Sequence, residues 1–124
     1  MSTRRRMKKM LNPELKKVIR TLKAASKKGG KAIWGAIAED LDKAKRSRVA
    51  VNLSRINRHT EAGDVVAVPG KVLASGSLGH PVTVAAYSFS EGALEKIAQA
   101  GSRAISLLDL LEEGVEPSKI RILK

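Results

Sequence analysis

The segment VTVAAYSFSEGALEKIAQAGSRAIS, residues 82–106, carries the pattern that decides the fold. Apolar residues alternate at its start, which predicts a strand over residues 82–89. Ser90 is of a type that caps helices and Gly101 of a type that ends them, so a helix is expected between the two. Residues 103–106 predict a second, short strand. A strand, a helix and a strand in succession indicate a mixed α and β class.

Strand and turn patterns continue on both sides of this segment. Residues 119–123 predict a terminal strand, and residues 75–81, rich in Ser, Gly and Pro, predict a loop. Further upstream, two strands are expected at residues 65–68 and 71–74. The Pro69-Gly70 pair between them has the chemistry of a type II turn, so we expect the chain to reverse there.

The first half of the chain has helical patterns instead. A helix is predicted from Asn12 to the Gly29-Gly30 pair, with a second over residues 31–44. Residues 43–58 are expected to form a loop that leads into a short helix. The sequence therefore predicts a mixed α and β fold with a helical, basic N-terminal half and a β-rich second half.

Length and charge suggest how these elements are organised. The chain has 124 residues, which suits one domain. We expect residues 1–11 to be a disordered basic arm, because their positive charges repel one another and they have little to bury. Residues 12–124 would form a single domain, with a helical basic part over 12–60 and a β-rich part over 61–124.

The positive charge is concentrated in one half of the molecule. The formal net charge is +12, from 24 Lys plus Arg against 12 Asp plus Glu. Residues 1–60 hold 18 basic and 4 acidic side chains, a sum of +14, whereas residues 61–124 hold 6 and 8, a sum of −2. An asymmetry of this size indicates a surface for a polyanion rather than a general aid to solubility.

Several classes of function are disfavoured. The chain has no cysteine and two histidines without metal-ligand spacing, so we expect no metal site, no cofactor and no enzyme activity on a small-molecule substrate. It shows neither a signal peptide nor an apolar stretch that could cross a membrane, so a cytoplasmic location is expected. Only three aromatic residues are present, which disfavours nucleic-acid binding by rows of stacking platforms.

Basic residues, amides and turn glycines together form the strongest candidate site. Arg and Lys neutralise phosphates, Asn and Ser bond phosphate and 2′-hydroxyl oxygens, and glycines allow close approach of the backbone. The candidate contacts are Arg4, Arg5, Arg6, Lys8 and Lys9 in the arm, then Lys45, Arg46, Arg48, Asn52, Arg55, Asn57, Arg58 and His59, and the glycine-rich segments at Pro69-Gly70-Lys71 and Ser75 to Gly79. The pattern predicts recognition of an RNA backbone and its shape.

A helix-turn-helix regulator of DNA is the alternative that the two N-terminal helices suggest. Residues 31–44 would then be the recognition helix. Glu39, Asp40 and Asp42 are expected on the outer side of that helix, where they would repel phosphates, and the helix has no Asn or Gln to read adenine. The sequence disfavours this alternative and leaves it open.

Residues 51–101, VNLSRINRHTEAGDVVAVPGKVLASGSLGHPVTVAAYSFSEGALEKIAQAG, closely resemble a ribosomal protein family. It is the archaeal and eukaryotic large-subunit family numbered eighteen with the suffix e, related to the bacterial large-subunit protein fifteen. The similarity extends to NPELKKVIRTLK at residues 12–23, IWGAIAEDL at 33–41 and IRIL at 120–123. The compact length resembles the archaeal members more than the longer eukaryotic ones.

The resemblance implies a structural, non-enzymatic protein of the large ribosomal subunit. Its partners would be ribosomal RNA and neighbouring ribosomal proteins, and its second half an irregular superhelix of β-β-α turns. The residues at positions of likely RNA contact in the family's motifs are Asn52, Ser54, Arg55, Asn57, Arg58 and His59, with Gly70, Lys71, Ser75, Gly76 and His80.

Overall fold

The computed structural model of the protein describes residues 15–29, 32–42 and 49–124. The expected arm over residues 1–11 and the predicted helix start at Asn12 lie outside these ranges. The elements in chain order are α1 (Leu15–Gly29), α2 (Ala32–Leu41), β1 (Val49–Asn52), α3 (Leu53–Arg58), β2 (Val65–Leu73), β3 (Thr83–Phe89), α4 (Glu91–Gln99), β4 (Arg103–Ser106), α5 (Leu107–Glu113), a 3₁₀ turn (Pro117–Lys119) and β5 (Ile120–Ile122).

The five strands form one parallel sheet. The order across it is β1-β2-β3-β4, and β5 also pairs with β2. β2 is long enough to hold two partners on one side, since its residues 65–67 pair with β5 and its residues 70–73 with β1. Parallel neighbours need crossover connections, which explains why helices alternate with the strands.

Both faces of the sheet are covered, as is usual for parallel sheets. On the first face, Val66, Val68, Val84 and Ala86 pack with the buried residues of α3 and α4. On the second face, Ala67, Ala85 and Ile105 pack with the buried residues of α1, α2 and α5. Each strand alternates its side chains between the two faces, so the molecule has three layers with the sheet in the middle.

The strand–helix–strand prediction is confirmed. β3, α4 and β4 follow one another with the expected bounds to within one residue. The Ser90 hydroxyl accepts a hydrogen bond from the amide of Ala93 at 3.1 Å, and Gly101 ends the helix with a φ of 73°. The mixed α and β class with basic N-terminal helices is therefore the observed one.

The predicted reversal at Pro69-Gly70 is wrong. β2 runs through this pair without turning, and the pairing with β3 shifts register between Val68 and Lys71. Gly70 has no Cβ to collide with the carbonyl group of Val49 in β1, which lies directly against it. The pair therefore forms an irregularity inside a strand, where glycine permits close approach of another backbone.

Two other expectations about the first half need correction. The loop predicted ahead of the short helix contains a strand, β1, whose residue Val51 is buried. The prediction that Asp40 lies on the outer side of α2 is also wrong, since this residue is only 5% exposed. Its carboxylate pairs with the ammonium group of Lys124, 3.0 Å away, and a buried charge needs such a partner.

Candidate nucleic-acid interface

The helix α3 presents a polar surface next to the loop of residues 74–81. Leu53 and Ile56 are buried in the core of the first face, which fixes the rotation of the helix. Its other side exposes Ser54, Arg55 and Arg58, and His59 is exposed directly after it. The two guanidinium groups thus stand on a short, rigid element at the surface.

Hydrogen bonds hold the loop against α3. The amide of Ser54 donates to the carbonyl oxygen of Ser75 at 3.0 Å. The amide of Gly79 donates to the side-chain oxygen of Asn57 at 2.9 Å. The structure therefore brings together Ser54, Arg55, Asn57, Arg58 and His59 with Ser75 and Gly76 in one exposed surface, which we call the α3–loop surface.

Gly76 is required for this close contact. Its φ is +90°, which L side chains rarely adopt, and a Cβ there would lie 2.7 Å from the backbone nitrogen of Ser54. Gly63 has nearly the same φ, +88°, but open space around it. The pair separates the cost of the backbone conformation from the cost of the contact.

We expect Gly76→Ala to destabilise the protein by about 2 kcal/mol and Gly63→Ala by about 1 kcal/mol, because only the first adds a steric overlap to the strain of a positive φ. Urea unfolding of both variants measures the difference. Equal losses would show that the loop does not press on α3 in solution.

Lys96 is a residue of this surface that the sequence did not reveal. From the exposed side of α4, its ammonium group donates to the carbonyl oxygens of Ala74 and Gly76, both at 2.8 Å. It thereby fixes the start of the loop beside Ser54. A single lysine on a helix has no local signal for a contact 20 residues away, so only the fold could show it.

His80 holds the other end of the loop. The hydroxyl of Thr60 donates to the carbonyl oxygen of Ile56 at 2.7 Å, so the Nε2 of His80, 2.8 Å away, is the donor to Thr60. His80 is half-buried by this contact. The geometry gives it a role in positioning the loop, and an RNA contact by His80 stays a prediction.

Three of the predicted contacts lie at the edge of the α3–loop surface or away from it. Gly70 is buried in the sheet against Val49, so we assign it to packing and withdraw it from the interface. Lys71 is exposed between Ala50 and Ser88, on the strands that flank it. Asn52 is half-buried, and its side chain does not cap α3.

Other predicted contacts lie outside the residues that the structure describes: Arg4, Arg5, Arg6, Lys8, Lys9, Lys45, Arg46 and Arg48. The last three fall in residues 43–48, which connect α2 to β1 immediately before α3.

Within the described ranges, the structure shows no cluster of three or more His, Asp or Glu side chains that could hold a metal ion. No helix in these ranges is both long and apolar enough to span a bilayer.

Comparison with known proteins places this arrangement in a family. The family model that describes the ribosomal proteins 50S-L15 and 50S-L18e, together with their 60S counterpart, matches residues 31–105. The large ribosomal subunit protein eL18 of Methanothermobacter thermautotrophicus is 45% identical over 91% of this chain and 93% of its own. The eL18 proteins of Haloarcula marismortui and Sulfurisphaera tokodaii are each 45% identical, over 91% and 86% of this chain and 97% and 91% of their own. These matches confirm the resemblance seen in the sequence motifs, and the chain belongs to the ribosomal protein family that includes 50S-L15 and 50S-L18e.

Proposed function

We propose that the protein is a structural component of the large ribosomal subunit that binds ribosomal RNA and has no catalytic role. The observation that carries this proposal is the α3–loop surface. Arg55 and Arg58 supply charge for phosphates, and Ser54, Ser75 and the loop backbone supply hydrogen bonds for phosphate and 2′-hydroxyl oxygens. Its partners would be ribosomal RNA and neighbouring ribosomal proteins in the cytoplasm.

The positions of the aromatic residues support recognition of the RNA backbone. Trp34 and Phe89 are buried, and Tyr87 is half-buried against the core of the second face. These three are all the aromatic residues in the chain, so none is available as an open platform for base stacking. Contacts to phosphate, sugar and groove shape remain, and these are the contacts that a basic surface makes best.

The basic segments outside the described ranges add to the proposed interface. Residues 43–48 include Lys45, Arg46 and Arg48 and end where β1 begins, only a few residues before Arg55. The arm adds five more charges, at Arg4, Arg5, Arg6, Lys8 and Lys9. Neutralised phosphates no longer repel one another, so such segments would hold RNA helices together.

The structure weakens the DNA-regulator alternative. α2 would have to enter a groove, but Trp34, Ile37, Ala38 and Leu41 pack into the core of the second face. The helix carries no Lys or Arg between Ala32 and Leu41. A helix buried in this way and without positive charge cannot read a DNA groove.

Sedimentation of a cell lysate tests the proposal. We expect the tagged full chain to sediment with large ribosomal subunits at moderate salt, and to leave them when the salt concentration is raised, because phosphate contacts are salt-dependent. Retention on duplex DNA after RNase treatment, or sedimentation as a free protein at low and moderate salt, would contradict it.

A further inference from the structure

The exposed side of α1 carries six basic residues. Val18 and Leu22 are buried against the second face of the sheet, which turns the opposite side of the helix to solvent. The basic residues on that side, all exposed, are Lys16, Lys17, Arg20, Lys23, Lys27 and Lys28. Four of them, at positions 16, 20, 23 and 27, follow helical spacing and form a line about 16 Å long. We call these six residues the α1 basic face.

Most of these charges have no acidic neighbour. Lys23 pairs with Asp42 at 3.6 Å between two exposed side chains, which is a weak surface contact. Among the residues that the structure describes, the other five have no acidic partner. Like charges at helical spacing repel one another, so this face destabilises the free protein unless a polyanion lies against it.

The α1 basic face and the α3–loop surface lie on opposite sides of the sheet. α1 packs on the second face through Val18 and Leu22, whereas α3 packs on the first face through Leu53 and Ile56. Each basic surface points away from the layer beneath it. A single short stretch of RNA at α3 therefore cannot also cover α1.

We propose that the α1 basic face binds a second segment of ribosomal RNA, so that the protein bridges two segments across its sheet. This inference rests on the proposed function, and it names a surface and a partner that the α3–loop surface does not include. An RNA backbone fits the face better than a protein does, because the cores of protein interfaces are depleted in lysine and the face exposes no large apolar side chain.

The absence of cysteine from the chain allows a direct test. Single variants Arg20→Cys and Ser54→Cys, each carrying iron–EDTA on the new thiol, are bound to protein-free large-subunit ribosomal RNA, and the cleaved nucleotides are mapped. We expect two separate sets of cleavages. The cysteine-free parent protein, treated in the same way, gives the background. A Lys27→Cys variant repeats the α1 measurement at a second exposed position.

The outcomes distinguish this inference from the proposed function. Cleavage from position 54 without cleavage from positions 20 and 27 would overturn the bridge and indicate a different partner, such as an acidic protein, at α1. Overlapping sets of cleaved nucleotides would also overturn it. No binding of the parent protein to the RNA would overturn the proposed function itself.

Salt dependence gives an independent measure. The triple variant Lys16→Gln, Arg20→Gln and Lys27→Gln is expected to make the slope of log affinity against log salt shallower by about 2 to 3, since three phosphate contacts are lost. The matched control removes three exposed charges elsewhere, with Arg103→Gln, Lys119→Gln and Arg121→Gln. Equal slopes for the triple variant and the parent would contradict the inference.

Discussion

Replacing Gly70 with alanine is expected to destabilise the protein by about 3 kcal/mol or more, which corresponds to a fall of roughly 12 °C in the thermal midpoint. The added Cβ would overlap the carbonyl oxygen of Val49 and lie 2.8 Å from its carbonyl carbon. Both groups belong to backbone in paired strands, with Val49 opposite Gly70 in the register of β1 and β2. A flexible side chain could move aside, but here a strand must move, so the cost is large.

Gly79→Ala is the matched control for this variant. A Cβ at Gly79 would lie 3.5 Å from the side-chain oxygen of Asn57, an ordinary contact, and its backbone φ is not positive. We expect its midpoint to stay within a few degrees of that of the parent protein. A Gly70→Ala protein as stable as the Gly79→Ala protein would show that β1 does not lie against Gly70 in solution.

The features that the sequence predicted well depend on local chemistry. Ser90 and Gly101 act within one turn of the helix that they bound, so α4 could be recognised from neighbouring residues alone. The alternating apolar residues of β3 likewise report a strand directly. For the candidate site, the exposed arginines of α3 and the serine and glycine of the loop were identified by residue type and by resemblance to the family.

The features that it missed depend on distant partners. Pro69-Gly70 has the same local chemistry whether the chain turns or admits a neighbouring strand, and Val49 decides between the two. Local pattern places Asp40 outside because aspartate is usually exposed, yet Lys124, far along the chain, gives it a buried partner. The contacts of Lys96 with the loop have the same origin.

The double variant Arg55→Gln, Arg58→Gln is expected to bind large-subunit ribosomal RNA roughly 25- to 60-fold more weakly at 0.1 M salt, with the slope of log affinity against log salt shallower by about 2. The estimate assigns one phosphate to each arginine. Both side chains are exposed, and the hydrogen bond from Arg55 to the carbonyl oxygen of Lys124, 3.1 Å, lies at the surface. Folding stability should therefore change by only about 0.5 kcal/mol.

The matched control removes the same charge from other exposed positions. Arg103 and Arg121 are paired with Glu113 and Asp64 at the surface, so Arg103→Gln, Arg121→Gln lowers the net charge equally and leaves the α3–loop surface intact. Filter binding of both double variants measures the difference. If the two lose affinity equally, net charge alone explains binding; a large loss of thermal stability in the Arg55, Arg58 variant would mean that these residues serve packing.

The salt dependence of binding to large-subunit ribosomal RNA by the full chain tests the central claim most directly. If about ten phosphates are neutralised by the arm, residues 43–48 and α3, log affinity should fall against log salt with a slope of about −7 to −9, and more steeply if the α1 basic face also binds. A slope near zero would contradict the account, because a protein that binds RNA through phosphate contacts must release counterions when it does so.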